Sequence, residues 1–253
     1  MDQMNIRSAG ISFSPRPIPS FSEVHLWRID LEAVALSEDR WESLLSADER
    51  NRANRFRFAV DRQRFSATRA LLRMILASYF ECDPQNLTFA YSEQQKPTLA
   101  PPHAESGLRF NVSHSGGISL IAFTQGREVG VDVEQIRQEF DPGSLAARFF
   151  SSSEQKELAS YTADQLQEAF FRCWTRKEAY IKAHGAGLSL PLQHFDVSLA
   201  PRDLTCLRAT RPDASEASRW SLRDVPAGEG YAAALCVEGQ SWTLKDWCCD
   251  SQQ

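Results

Sequence analysis

At a period of 3.6 residues the clearest pattern in the chain lies between Thr162 and Gly185. There Phe170, Cys173, Trp174 and Ile181 fall on one apolar stripe, with Glu178 and Lys182 one turn apart beside it. Thr162 followed three residues later by Gln165 is an opening signal, and Gly185 accepts the left-handed conformation that ends a helix. A second helix is predicted from about Val60 to Phe80, with Phe65, Leu71, Leu72, Ile75, Leu76 and Tyr79 facing a core and Arg62, Arg69 and Arg73 on its other side. Asp83 and Pro84 break it. Two short helices precede it, one with Ser37 as N-cap and one from Ser46, where Glu49 completes a capping box. Residues 1–20, with Pro15, Pro17 and Pro19, read as a mobile leader.

Between and after these helices the period turns to two. Strands are predicted at Val24 to Leu31, Leu87 to Tyr91, Leu108 to Ser113, Ile118 to Thr124 and Glu128 to Val133. The last three are joined by short turns at Gly116-Gly117 and Gln125-Gly126, which predicts one antiparallel sheet. Helical signals return near Gly143 and at Ser151 with Glu154, and strands are predicted again at 194–199, 218–224, 230–237 and 241–247. The order of elements predicts an α+β protein of two similar halves, 21–127 and 128–249, meeting between Thr124 and Val133. No direct sequence repeat underlies this division.

Charge sharpens the picture locally. The 253 residues carry a net charge of −5, yet the segment from Glu49 to Arg73 holds eight arginines against two acids, a local +6 that leaves −11 for the remainder. A basic segment in an acidic protein points to a local anionic ligand, with a solvated helix face as the plainer alternative, and argues against nucleic acid as partner. Six cysteines form no CxxC pair and no zinc pattern with the five histidines, which suits a reducing cytoplasm. No run has the length and apolarity of a signal peptide or a membrane span.

The candidate chemistry centres on acids. Asp132 and Glu134 alternate at a strand end and so share a face, and Glu178 supplies a third carboxylate if its helix packs across that strand. Three hard oxygen ligands suit Mg²⁺. The alternatives are a solvated acidic pair and, for Glu178 and Lys182, an ordinary stabilising helix pair. Lys96, Ser113, His114, Lys182 and the arginine-rich segment are candidate phosphate contacts, and together these groups predict phosphoryl or phosphodiester transfer.

Four segments now fall into a recognisable order: Lys96-Pro97; Asn111-Val112-Ser113-His114-Ser115; Gly130-Val131-Asp132-Val133-Glu134; and Trp174-Thr175-Arg176-Lys177-Glu178-Ala179-Tyr180-Ile181-Lys182, with Gly185-Ala186-Gly187-Leu188 after it. Arg148-Phe149-Phe150-Ser151 with Glu154 lies between the last two. Over roughly Ser46 to Val197 the chain resembles the surfactin-type (Sfp-type) 4′-phosphopantetheinyl transferases. The resemblance implies two α+β halves related by a pseudo-two-fold, an active site in the cleft between them, and a monomer. It implies transfer of the phosphopantetheine arm of coenzyme A to a serine hydroxyl of an apo acyl or peptidyl carrier protein, releasing 3′,5′-ADP. By the same carry-over Asp132, Glu134 and Glu178 hold Mg²⁺, Glu178 accepts the serine proton, and Lys182, Lys96, Ser113 and His114 contact the coenzyme A phosphates. Arg52 and Arg69, then Arg64, face the 3′-phosphate. Two positions depart from the family pattern: Glu49 stands where some members carry a base, and Gln95 where a glycine commonly precedes Lys-Pro. Lys177 lies nearer the packed stripe than Glu178 and reads as structural or as a support for the residues that touch the ligand. Competing readings are a non-catalytic coenzyme A or carrier-binding module and a metal-dependent phosphoesterase.

Overall fold

The computed structural model describes residues 14–34, 38–203 and 206–249. The chain opens with β1 (Glu23–Asp30), the short helices α1 (Glu38–Leu44) and α2 (Ala47–Ala53), and the 22-residue helix α3 (Ala59–Phe80). A hairpin, β2 (Phe89–Tyr91) and β3 (Pro97–Leu99), leads to β4 (Leu108–Ser115), β5 (Ile118–Gln125) and β6 (Val129–Gln135). Helices α4 (Pro142–Phe149), α5 (Ser152–Leu158) and the 22-residue α6 (Ala163–His184) follow. The chain ends with β7 (Phe195–Val197), β8 (Leu207–Thr210), β9 (Trp220–Asp224), β10 (Tyr231–Glu238) and β11 (Thr243–Cys249). Mixed helices and sheets of this kind form an α+β fold.

Both capping boxes expected from the sequence are present, at Ser46 with Glu49 and Ser151 with Glu154. Thr162 is the N-cap of α6 but its side chain makes no capping bond, whereas Gly185 ends the helix at φ 79°. The Ser37 N-cap lies outside the described residues. Arg16, within the stretch read as a mobile leader, donates its backbone N–H to Ser78 O at 3.0 Å and packs over the rings of Trp27 and Trp247.

Two larger sheets carry the fold, one in the order β11-β1-β5-β4 and the other β6-β10-β9. They stack face to face. One face of the first sheet packs on α3 through Trp27, Ile29, Ile121 and Phe123 against Leu71, Leu72 and Ile75. One face of the second packs on α6 through Leu222, Ala234 and Cys236 against Phe170, Cys173 and Tyr180. Between the sheets lies a third apolar layer, with Leu26, Leu120 and Ala122 on one side and Val131, Leu235 and Val237 on the other. The molecule is therefore layered helix, sheet, sheet, helix.

The single antiparallel sheet predicted for 108–133 does not form. β4 and β5 pair as expected, but β6 pairs with β10 and opens the second sheet. The cause lies in the side chains of β4, which take the N–H groups of β6 that a backbone ladder would otherwise use. The polar side assigned to α3 also needs correction, because Arg69 and Arg73 are buried, at 8% and 1% exposure. Arg73 binds Glu49 Oε2 at 2.7 Å and the carbonyls of Pro84 and Leu87 at 2.9 Å each, so its charge and donors are met inside the protein.

Candidate active site

The site grows from the seam between β4 and β6. Alternation along β4 sets Asn111, Ser113 and Ser115 on one face, where they act as a comb. Val131 N donates to Asn111 Oδ1 (2.9 Å), Val133 N to Ser113 Oγ (3.3 Å) and Gln135 N to Ser115 Oγ (3.1 Å). Each serine still has its own proton to give. Ser113 Oγ donates to Asp132 Oδ1 at 3.0 Å, and Ser115 Oγ to Glu134 Oε2 at 2.8 Å.

Helix α6 lies directly over this seam because Gly130 has no side chain. A Cβ there would stand 2.1 Å from Ala179 O and 2.3 Å from Ala183 N. The close approach brings Glu178 and Lys182 to β6. Lys182 Nζ donates to Asp132 Oδ1 (2.6 Å), Ser113 Oγ (3.0 Å) and Val131 O (3.3 Å), which uses its three hydrogens. Lys96 is held in the same manner, by Lys182 O (2.9 Å), Val129 O (3.2 Å) and Glu128 Oε2 (3.3 Å). A phosphate reaches either ammonium only by displacing one of these acceptors.

The three acids feel one another. Burial raises the pKa of Asp132, opposed by Lys182 and Ser113. Burial and then the charge of Asp132 raise that of Glu134. Glu178 is raised by burial, then by Asp132 and Glu134, with Lys182 opposing. Asp132 Oδ2 is buried without a hydrogen-bond partner. Mutually repelling carboxylates with an orphaned oxygen form a donor set that suits a hard cation. As placed, however, no group of three or more His, Cys, Asp or Glu side chains among the described residues closes around a point that could hold a metal ion. His114 is on the other face of β4. Loss of solvation lowers its pKa most, then Lys182 and Arg64, while Asp61 opposes.

Of the arginines expected to face an anion, Arg64 is half-buried and pairs loosely with Glu32 at 3.4 Å. Arg52 is exposed and lies over the Phe65 ring. Arg69 is packed among the rings of Phe65, Phe89 and Tyr91, 3.5 Å from Glu49 Oε1, and its Nη1 is buried without a partner. In front of Tyr91 a cavity of about 560 Å³ opens, lined by Asp48, Arg52, Arg55, Phe56, Tyr91 and Gln95.

Comparison with known proteins settles the family. A 4′-phosphopantetheinyl transferase N-terminal family model matches residues 37–126, and a 4′-phosphopantetheinyl transferase superfamily model matches 128–236. The 4′-phosphopantetheinyl transferase HetI of Nostoc sp. is 40% identical over 225 residues, covering 89% of this chain and 92% of the relative. The chain belongs to the 4′-phosphopantetheinyl transferase family. The transferase is also 32% identical over 211 residues to a 4′-phosphopantetheinyl transferase of Bacillus subtilis (83% of this chain, 89% of the relative) and 31% identical over 202 residues to Sfp of the same species (79% and 84%).

Within the transferase, Lys177 is fully buried against Glu154 Oε1 (2.7 Å), Leu192 O (2.7 Å) and Phe195 O (2.8 Å), which makes it structural. Sequence reasoning assigned no role to Asn111, Ser115 or Gly130, although all three stood in its motifs. The alternation of polar residues at 111, 113 and 115 in an otherwise apolar strand was their available signal. Arg55 was marked only as part of the basic segment, and Tyr91 and Phe56 carried no signal, since only tertiary packing gathers the three into a cavity.

Proposed function

We propose that the chain is a surfactin-type enzyme that transfers the 4′-phosphopantetheine arm of coenzyme A to a serine hydroxyl of an apo acyl or peptidyl carrier protein, releasing 3′,5′-ADP. The observation that carries this reading is the meeting of Asp132, Glu134, Glu178 and Lys182 at the β4–β6 seam, where burial and neighbouring carboxylates raise the pKa of Glu134 and Glu178. Asp132, Glu134 and Glu178 would hold Mg²⁺, which when bound supplies charge neutralisation at the diphosphate. Glu178, with its raised pKa, is the base that takes the serine proton as the serine oxygen bonds to phosphorus and the diphosphate bridge breaks. Lys182, together with Lys96, Ser113 and His114, then faces the phosphate oxygens. The nucleotide end occupies the cavity before Tyr91, with the 3′-phosphate toward Arg52 and Arg69 and then Arg64.

Each of the two larger sheets packs on one 22-residue helix, α3 or α6, which supports a pseudo-two-fold relation, with β11 of the second half completing the sheet of the first. The enzyme works as a monomer on carrier proteins, and its partners are neither nucleic acid nor membrane. Among the described residues no helix is long and apolar enough to cross a bilayer.

Incubation with coenzyme A, Mg²⁺ and a panel of apo carriers tests the reading by mass. Each modified carrier is expected to gain the mass of the phosphopantetheine arm. Hydrolysis of coenzyme A with every carrier unmodified would turn the assignment to a phosphoesterase.

A further inference from the structure

The β2–β3 hairpin closes in a form that its sequence resists. Ser92 N donates to Lys96 O (3.0 Å), Gln95 N to Ser92 O (2.9 Å) and Lys96 N to Ser92 Oγ (3.1 Å). This is a turn followed by a single left-handed residue, the position that glycine fills with least strain. Gln95 occupies it, at φ 62°. No hydrogen bond within the described protein repays the strain, because the Gln95 side chain is exposed and binds nothing there. What it does is line the cavity that also holds the rings of Phe56 and Tyr91 and the cations of Arg52 and Arg55.

Two rings and two guanidinium groups, set against the single carboxylate of Asp48, leave the space net positive and suit a flat, anionic heteroaromatic ligand. The Arg69 guanidinium lies over the Tyr91 ring, 6.0 Å from its centre, its buried Nη1 unpartnered. A primary carboxamide offers a donor and an acceptor side by side. That pair is complementary to the 6-amino group and N7 on one edge of adenine. We propose that Gln95 is a specificity-determining residue, whose carboxamide reads the adenine edge of the nucleotide end of coenzyme A. The inference rests on the reading above that this cavity takes the nucleotide. It gives a reason for a strained glutamine where the family pattern commonly has glycine: the side chain that glycine lacks selects the base.

The test compares adenosine 3′,5′-bisphosphate with inosine 3′,5′-bisphosphate, in which a carbonyl replaces the amino group, as competitors of coenzyme A binding to the full-length protein. The wild type is expected to prefer the adenosine compound by about tenfold. In Gln95→Gly the preference should fall to within about twofold while the unfolding midpoint rises, since the strain is gone. Gln95→Asn tolerates the left-handed conformation but is too short to reach, and should lose the preference equally. A wild type that does not discriminate, or a Gln95→Gly variant that keeps the full preference, overturns the inference and leaves the cavity assignment standing. If neither compound competes with coenzyme A in the wild type, the cavity assignment fails and takes the inference with it.

Discussion

At the scale of single side chains, the site is a contest for Asp132. Its Oδ1 is held by Lys182 and Ser113 while its Oδ2 is buried and unpaired, so neither neutral burial nor a complete set of bonds satisfies it. Asp132→Asn and Glu178→Gln are each expected to lower carrier modification by at least about a hundredfold. Because the folded pKa of both acids is raised, the folded state binds their protons more readily than the unfolded chain. Neutral amides in their place should therefore keep or raise the urea midpoint. Near-normal turnover in either variant would remove the metal and base assignments. Arg69→Ala should weaken coenzyme A binding more than dephospho-coenzyme A binding. The ratio matters because Arg69 also packs beside Glu49, and a purely structural loss would weaken both ligands alike.

At the scale of elements, the contact between α6 and β6 decides whether those side chains meet. Gly130→Ala would push a methyl group into the helix backbone, since both near atoms, Ala179 O and Ala183 N, are main-chain and cannot swing aside. We expect a loss of about 1–3 kcal/mol in denaturant unfolding, accompanied by a fall in activity that raising coenzyme A does not restore. Full activity in this variant would show that the spacing of helix and strand is not critical. The comb on β4 explains why the motif alternates. Asn111 Oδ1 fills the acceptor place of a backbone carbonyl, while the two serines take N–H groups with one lone pair and orient carboxylates with their own proton.

At the scale of the whole molecule, the last strand returns to the first. β11 runs parallel to β1 and stacks Trp247 on Trp27, and next to them His25 is buried with Nδ1 2.8 Å from the Tyr79 hydroxyl. Burial pushes the His25 pKa down to about 4, from an ordinary 6.5, with Arg16 and Lys245 assisting and Glu23 opposing. The folded state thus keeps His25 neutral while the unfolded chain protonates it. Its contribution is complete above the unfolded value and is lost as pH falls toward the folded one, a change of about 3 kcal/mol. Urea unfolding between about pH 7 and pH 4.5 should show this loss in the wild type and a flatter profile in His25→Gln. Identical profiles would mean that the histidine is not held neutral. Asp132, Glu134 and Glu178 act in the opposite sense, because their raised pKa values add stability on acidification.

By itself the sequence determined whatever depends on near neighbours. The 22-residue helices show in their apolar spacing, the capping boxes at Ser46 and Ser151 in residues three apart, and the end of α6 in Gly185. The shared face of Asp132 and Glu134 follows from the period of a strand. Tertiary structure alone decided which strands pair. β6 left the sheet of β4 and β5 because side chains displaced a backbone ladder, and β11 joined β1 across more than two hundred residues, where no local period carries information. It also decided which arginines are available to a ligand. An arginine on a helix reads as surface in one dimension, and only the packing of Glu49, Phe89 and Tyr91 around α3 shows that Arg73 is spent inside while Arg69 keeps one donor unpaired. Periodicity is a property of the backbone and survives in a string of letters; partnership between distant groups is a property of the folded volume and does not.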